Sequence, residues 1–173
     1  MVKKELEQRL EDEFPFMRRG KSINEQKDEK DFIYSLYDAF GCDVGDGWFE
    51  VLRGLCRDIT EAYRRAGLPV DIVVDQVKEK YGGLCFYYHH DNNVSNIYTF
   101  DLPSNGQSIE VKQKVFELHK EIEEIVNKWE EMSGNVCEDC GATGKLREDL
   151  NWVLTLCDLC YEKLLRKLER NLS

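Results

Sequence analysis

"QVKEKYGGLCFYYHH", Gln76 to His90, decides how the middle of this chain folds. Branched and aromatic residues flank a Gly-Gly pair, a composition that suits half-buried strands joined by a tight turn. Residues 70–80 read as one strand, Gly82-Gly83 as a primed two-residue turn, and residues 84–90 as the return strand. That turn sets Tyr81 opposite Leu84, Lys80 opposite Cys85, Glu79 opposite Phe86, Lys78 opposite Tyr87, Val77 opposite Tyr88 and Gln76 opposite His89. Opposed residues share a face, and faces alternate along each strand. One face collects Val77, Tyr81, Leu84, Phe86 and Tyr88 and is predicted to cover helices. The other collects Gln76, Lys78, Lys80, Cys85, Tyr87 and His89.

Downstream, "DNN" at 91–93 suggests a second turn and "SNIYTFDL" at 95–102 a third strand, giving a three-stranded antiparallel meander. Upstream, "GCDVGDGW" at 41–48 leads into an apolar stripe of Trp48, Val51, Leu52, Leu55, Cys56, Ile59, Ala62, Tyr63 and Ala66. That spacing predicts an amphipathic helix ending at Gly67, with Asp46 as its N-cap. Leu6, Leu10 and Phe14 predict a short helix over 3–14, stopped by Pro15. Residues 18–31 read as a polar loop and residues 32–39 as a second short helix. Val111, Val115, Leu118, Ile122, Ile125, Trp129 and Met132 step by four and three along the longest helix. Such a stripe is either a core seam against the sheet and the Trp48 helix or the seam of a dimer coiled coil.

The C-terminal stretch "VCEDCGATGKLREDLNWVLTLCDLC" carries two C-x-x-C pairs, Cys137 with Cys140 and Cys157 with Cys160, separated by residues 141–156. This is four-cysteine zinc spacing, since two intervening residues let both sulfurs of a pair reach one ion. Gly141 suits the tight turn of a knuckle, and the second pair opens the amphipathic "YEKLLRKLERNL". Knuckle, hairpin and a ligand pair at a helix start form a treble-clef-like layout. Four thiolates leave no position open for water, so one structural zinc per chain is expected. Two spaced pairs also argue against a redox dithiol. Cys42, Cys56 and Cys85 read as ordinary thiols, Cys56 buried. The fold class is thus α+β, with residues 1–133 forming the α+β domain and 134–173 the zinc module.

The chain of 173 residues has a net charge of −10 and a pI near 4.9. This acidity argues against nonspecific binding to nucleic-acid backbones, which needs clustered Lys and Arg. "MVKKELEQRLEDEF" at the N-terminus has no apolar core for a signal peptide. No apolar run approaches the roughly 20 residues that span a bilayer. A soluble cytoplasmic protein is expected. Seven cysteines, an odd number, fit thiols and metal ligands rather than a disulfide framework.

"GDGWFEVLRGLC", "QVKEKYGGLCFYY", "CEDCG" and "TLCDLC", in that order over about residues 40–160, resemble a family of small uncharacterised proteins of phages and bacteria. The resemblance implies context rather than activity: small phage accessory proteins interfere with host machinery or defence, and a phage-encoded one works in the host cytoplasm.

No nucleophile–base pair, phosphate loop or paired-carboxylate motif stands out, so the sequence favours binding over catalysis. The ammonium groups of Lys78 and Lys80, the Tyr87 phenol, the Gln76 amide and the His89 imidazole complement a phosphate or carboxylate. An anionic small molecule, for example a nucleotide-derived defence signal, is the expected ligand. The plainer reading is a solvated sheet face. Two other readings stay open. In one, the zinc module or the long helix binds a host protein. In the other, Lys145, Arg147, Lys163, Arg166, Lys167 and Arg170 let the module bind nucleic acid. His89 and His90 point to opposite faces of a strand and make a poor metal pair.

Overall fold

The computed structural model describes residues 2–20, 35–91 and 107–172, with side chains of 112–171 in the last segment. Helix α1 spans Lys4–Glu13 and buries Leu10, while Phe14 and Pro15 turn the chain into a one-turn helix over Pro15–Met17. Helix α2, Leu36–Phe40, begins at a Ser35–Asp38 capping box and matches the later part of the predicted 32–39, whose first three residues lie outside the described residues. The predicted loop over 18–31 lies largely outside the described residues. Glu7 on α1 is nearly buried and ties three segments: it accepts from the Cys42 N–H at 2.8 Å and pairs with Arg19 at 2.6 Å.

Strand β1 is Cys42–Asp43, and helix α3 is Phe49–Ala66. The predicted apolar stripe of α3 is buried from Trp48 to Tyr63, with Ala66 half-buried at its end, and Gly67 closes the helix at φ +68. Asp46 does not cap this helix. A one-turn helix over Asp46–Trp48 precedes α3, and the Asp46 carboxylate instead takes the Lys3 N–H at 2.8 Å and the Lys3 ammonium at 2.6 Å. The carboxylate therefore anchors the N-terminal segment.

Strands β2, Ile72–Lys80, and β3, Gly83–His90, form the predicted hairpin, but the sheet is mixed rather than a pure antiparallel meander. Its third strand is β1, parallel to β2 through Cys42–Val77 and Asp43–Lys78. The strand predicted at 95–102 lies outside the described residues. The turn is Tyr81-Gly82, one residue earlier than predicted, with both residues at positive φ. Lys80 thus faces Gly83, Lys78 faces Cys85, Val77 faces Phe86 and Gln76 faces Tyr87. Moving the turn by one residue shifts the pairing by two, so the alternation predicted for the two faces survives. Val77, Leu84 and Phe86 are buried, whereas Tyr81 sits in the turn and is exposed. Asp75 bulges out between Val74 and Gln76, so His89 faces Val73 rather than Gln76.

Helix α4, Gln107–Ser133, packs along α3 and β3. Its seam is intramolecular. Leu118, Ile122 and Val126 are buried, Ile125 and Trp129 half-buried, and Met132 exposed. Trp129 lies over Gly54 of α3 and donates its indole N–H to Asp58 at 2.9 Å. Val111 of the predicted stripe has no described side chain. Helix α4 also caps the outer edge of β3: the Leu84 N–H donates to Ser133 Oγ at 2.8 Å and the Phe86 N–H to Glu130 at 2.7 Å.

After α4 come the Cys137–Gly141 knuckle, a hairpin of β4 (Lys145–Arg147) and β5 (Leu154–Leu156), and helix α5, Asp158–Leu172. Among the described residues no helix is long and apolar enough to cross a membrane.

Candidate functional site

The four cysteines converge. One sulfur from each of Cys137, Cys140, Cys157 and Cys160 lies within 4.8 Å of the others, and the Cys140 and Cys157 sulfurs are 3.7 Å apart. Four sulfurs about 2.3 Å from a central ion would stand roughly 3.8 Å apart, so the set could hold a metal ion. The knuckle is closed by the Gly141 N–H on the Cys137 carbonyl at 2.8 Å and the Cys137 N–H on the Ala142 carbonyl at 2.7 Å, with Gly141 at φ +77. The Cys160 N–H donates to Cys157 Sγ at 3.4 Å and is the first cause drawing that thiol down to about 7. The thiolate is the form that binds metal. Cys42 and Cys56 are buried, and burial pushes both thiols up, Cys42 to about 12.

Two glycine motifs receive this segment. The Gly45 N–H donates to the Glu138 carboxylate at 3.0 Å, and the Gly47 N–H to the Glu138 carbonyl at 2.7 Å. A Cβ on either glycine would overlap backbone atoms of the knuckle. Trp48 donates its indole N–H to the Val136 carbonyl at 2.7 Å. On the other side, Thr155 Oγ donates to the Gly82 carbonyl at 2.6 Å, and a Cβ on Gly82 would stand 2.5 Å from Leu146 Cδ1. "GDGW" and "YGG" are therefore the docking seats of the four-cysteine segment.

The predicted ligand face is only partly assembled as expected. Lys78 and Lys80 emerge on one side of β2, with Cys85 and Tyr87 across from Lys78 and Gln76 on β3. The Lys78 ammonium lies 5.1 Å above the Tyr87 ring and the Lys80 ammonium 5.3 Å above the Tyr81 ring. His89 is engaged elsewhere: its Nδ1 lies 2.9 Å from the carboxylate of Asp75, the bulge residue. The face thus carries a negative charge beside its imidazole, and Asp43 lies next to Lys78 on β1.

A second cluster gathers around Asp71, which the sequence analysis does not single out. Asp71, just before β2, is 6% exposed and buried beneath two stacked imidazoles. His90 Nδ1 lies 2.9 Å from Asp71 Oδ1, His119 Nε2 lies 3.4 Å from Oδ2, and the Tyr63 hydroxyl donates to Oδ1. The two rings lie 3.4 Å apart and 9° from parallel. Burial, then the neighbouring His90, pulls the His119 pKa down, and burial pushes that of the Tyr63 phenol above its usual value. Both histidines line a cleft of about 740 Å³ between β3 and α4, with Phe86, Tyr88 and Val126 in its wall and Lys120 at its rim. One signal was available. His90 lies on the strand face opposite His89, and His119 follows Leu118 in the stripe of the helix that covers the sheet.

No protein-family model matches the chain, and no curated protein or solved structure matches it either.

Proposed function

We propose that this chain is a non-enzymatic accessory protein of phage type that binds an anionic small molecule on the face of Gln76, Lys78, Lys80, Tyr87 and His89. A nucleotide-derived defence signal is the ligand class in view, met in the host cytoplasm. The carrying observation is that Lys78 and Lys80 emerge side by side in a chain of net charge −10, yet neither forms an ion pair among the described residues. Ammonium groups left over on an acidic protein are suited to an incoming anion. Tyr87 is 42% exposed and adds a phenol. With Nδ1 of His89 on Asp75, Nε2 is the nitrogen left for a ligand.

The four-cysteine centre is, in this reading, one structural zinc in a treble-clef-like module: all four positions are taken by sulfur, which excludes a bound water. Cys140→Ser should lose the zinc held by the four cysteines and destabilise the segment after Ser133.

Thermal shift with linear and cyclic nucleotides tests the ligand face. Binding at a hundredfold excess over Kd should add about 2.7 kcal/mol of stability. Lys78→Ala with Lys80→Ala should remove that shift while leaving the unliganded Tm nearly unchanged, since exposed lysines contribute little to folding. No shift with any nucleotide, or an equal shift in the double mutant, overturns the reading.

A second reading has its own support. Leu159 is 70% and Trp152 66% exposed on the four-cysteine segment, with Leu146 and Leu168 also open, as a protein-binding adapter would require. Nucleic-acid binding by this segment has less support. Lys145 and Arg147 both pair with Asp158, and Arg166 pairs with Glu162.

A further inference from the structure

We propose that Asp71, His90 and His119 hold a divalent first-row transition-metal ion, separate from the four-cysteine centre, with its remaining coordination positions open to the cleft between β3 and α4. The inference goes beyond the anion-binding reading and shares none of its residues.

Three different elements deliver the ligands: the approach to β2, the end of β3 and the middle of α4. One donor atom from each lies within 4.8 Å of the others. The pairwise distances are informative. Two ligands at 2.0–2.2 Å from an ion, subtending about 90–110°, stand roughly 2.9–3.5 Å apart. His90 Nδ1 and His119 Nε2 stand 2.9 and 3.4 Å from the two oxygens of Asp71. An ion can therefore replace the hydrogens now shared between carboxylate and imidazoles without moving Asp71 far. The rings must change more. Lone pairs on rings 9° from parallel do not meet at one ion, so His90 and His119 have to splay apart. Both line the cleft, which gives them room.

The donor set fixes the class of metal. Two imidazoles and one carboxylate suit Zn²⁺, Fe²⁺ or Co²⁺ rather than Mg²⁺ or Ca²⁺, which prefer all-oxygen shells. Three protein ligands rather than four leave room for water or for an oxygen of a cleft ligand. Tyr63 completes the arrangement. Its hydroxyl on Asp71 orients a ligating carboxylate, the task of an outer-shell partner.

The experiment is a Co²⁺ titration of the metal-stripped, reduced full chain, read by absorption and by metal content after desalting. Thiolate-to-cobalt charge-transfer absorption should saturate at one equivalent. A second equivalent should then add weaker ligand-field absorption without further charge transfer. His90→Ala and His119→Ala should each lose the second equivalent and keep the first, Cys140→Ser should lose the first, and Tyr63→Phe should weaken the second by about 10–100-fold. A parent that saturates at one equivalent overturns the proposal, as does a second equivalent that survives in both histidine variants. If those variants do not fold, the parent's stoichiometry decides alone. A negative result here leaves the nucleotide experiment untouched, because Lys78 and Lys80 take no part in it.

Discussion

Gly47 lies directly on the knuckle, so close that a Cβ at this position would overlap the carbonyl oxygen of Cys137. The atoms it would meet are backbone, which cannot rotate away. Gly47→Ala should therefore destabilise the protein by about 1–3 kcal/mol through overpacking. It should also weaken metal binding by the four cysteines, because the clash falls on the ligand loop. Urea unfolding with and without a chelator measures both effects.

The hairpin glycines should differ sharply. Gly82 is at φ +79 and meets Leu146, whereas Gly83 is an ordinary strand residue whose nearest contact for a Cβ is the Lys80 carbonyl at 3.6 Å. Gly82→Ala should lower stability by at least about 1 kcal/mol, and Gly83→Ala should change it by less than about 0.5 kcal/mol. Equal costs at the two positions would argue for a turn at Gly82-Gly83 instead.

Ile122 is fully buried in the seam between α4 and α3. Ile122→Asp places an unpaired charge there and should cost at least about 4 kcal/mol, abolishing cooperative unfolding. A folded monomer from this variant, seen by sedimentation together with a cooperative melt, would instead mean that the seam joins two chains.

Glu130 provides a test by pH. Burial holds its carboxyl above the ordinary value of 4.5, while the Phe86 N–H pulls the other way. A raised acid favours folding while protonated. That contribution is complete below the unfolded value and is lost as pH rises through the folded one. Glu130→Gln keeps an acceptor for Phe86 and removes the titration. Relative to the parent, the variant should gain stability between about pH 4.5 and about pH 7.5. Urea midpoints at the two pH values give the difference, and the opposite slope would show that the ionised carboxylate is the stabilising form.

Much of this architecture is legible in local pattern. The α3 stripe, the hairpin alternation and the two cysteine pairs are periodic or fixed-spacing signals, and each has a single good structural solution. What escaped depends on distant partners. Tyr81 takes a left-handed φ that a tyrosine seldom adopts, so the pattern favours Gly82-Gly83 for the turn. Gly82 is needed elsewhere, to admit Leu146 and Thr155 from the β4–β5 hairpin. Strand β1 has two residues, too few for alternation to show, and its parallel partner β2 lies some thirty residues on. Asp46 has the sequence of a cap, but Lys3 takes its carboxylate. The Asp71, His90 and His119 cluster is assembled from separated elements, and only the placing of His90 on the strand face opposite His89 and of His119 beside Leu118 hints at it.

The bond from the Gly45 N–H to the Glu138 carboxylate joins residues 93 apart in sequence. At about 5–20 residues per second, a ribosome takes roughly 5–20 s to make the second partner after the first. During that interval the Gly45 N–H lacks the carboxylate that it bonds in the finished fold. The nascent protein can therefore complete this corner only after the cysteine-bearing segment has been made.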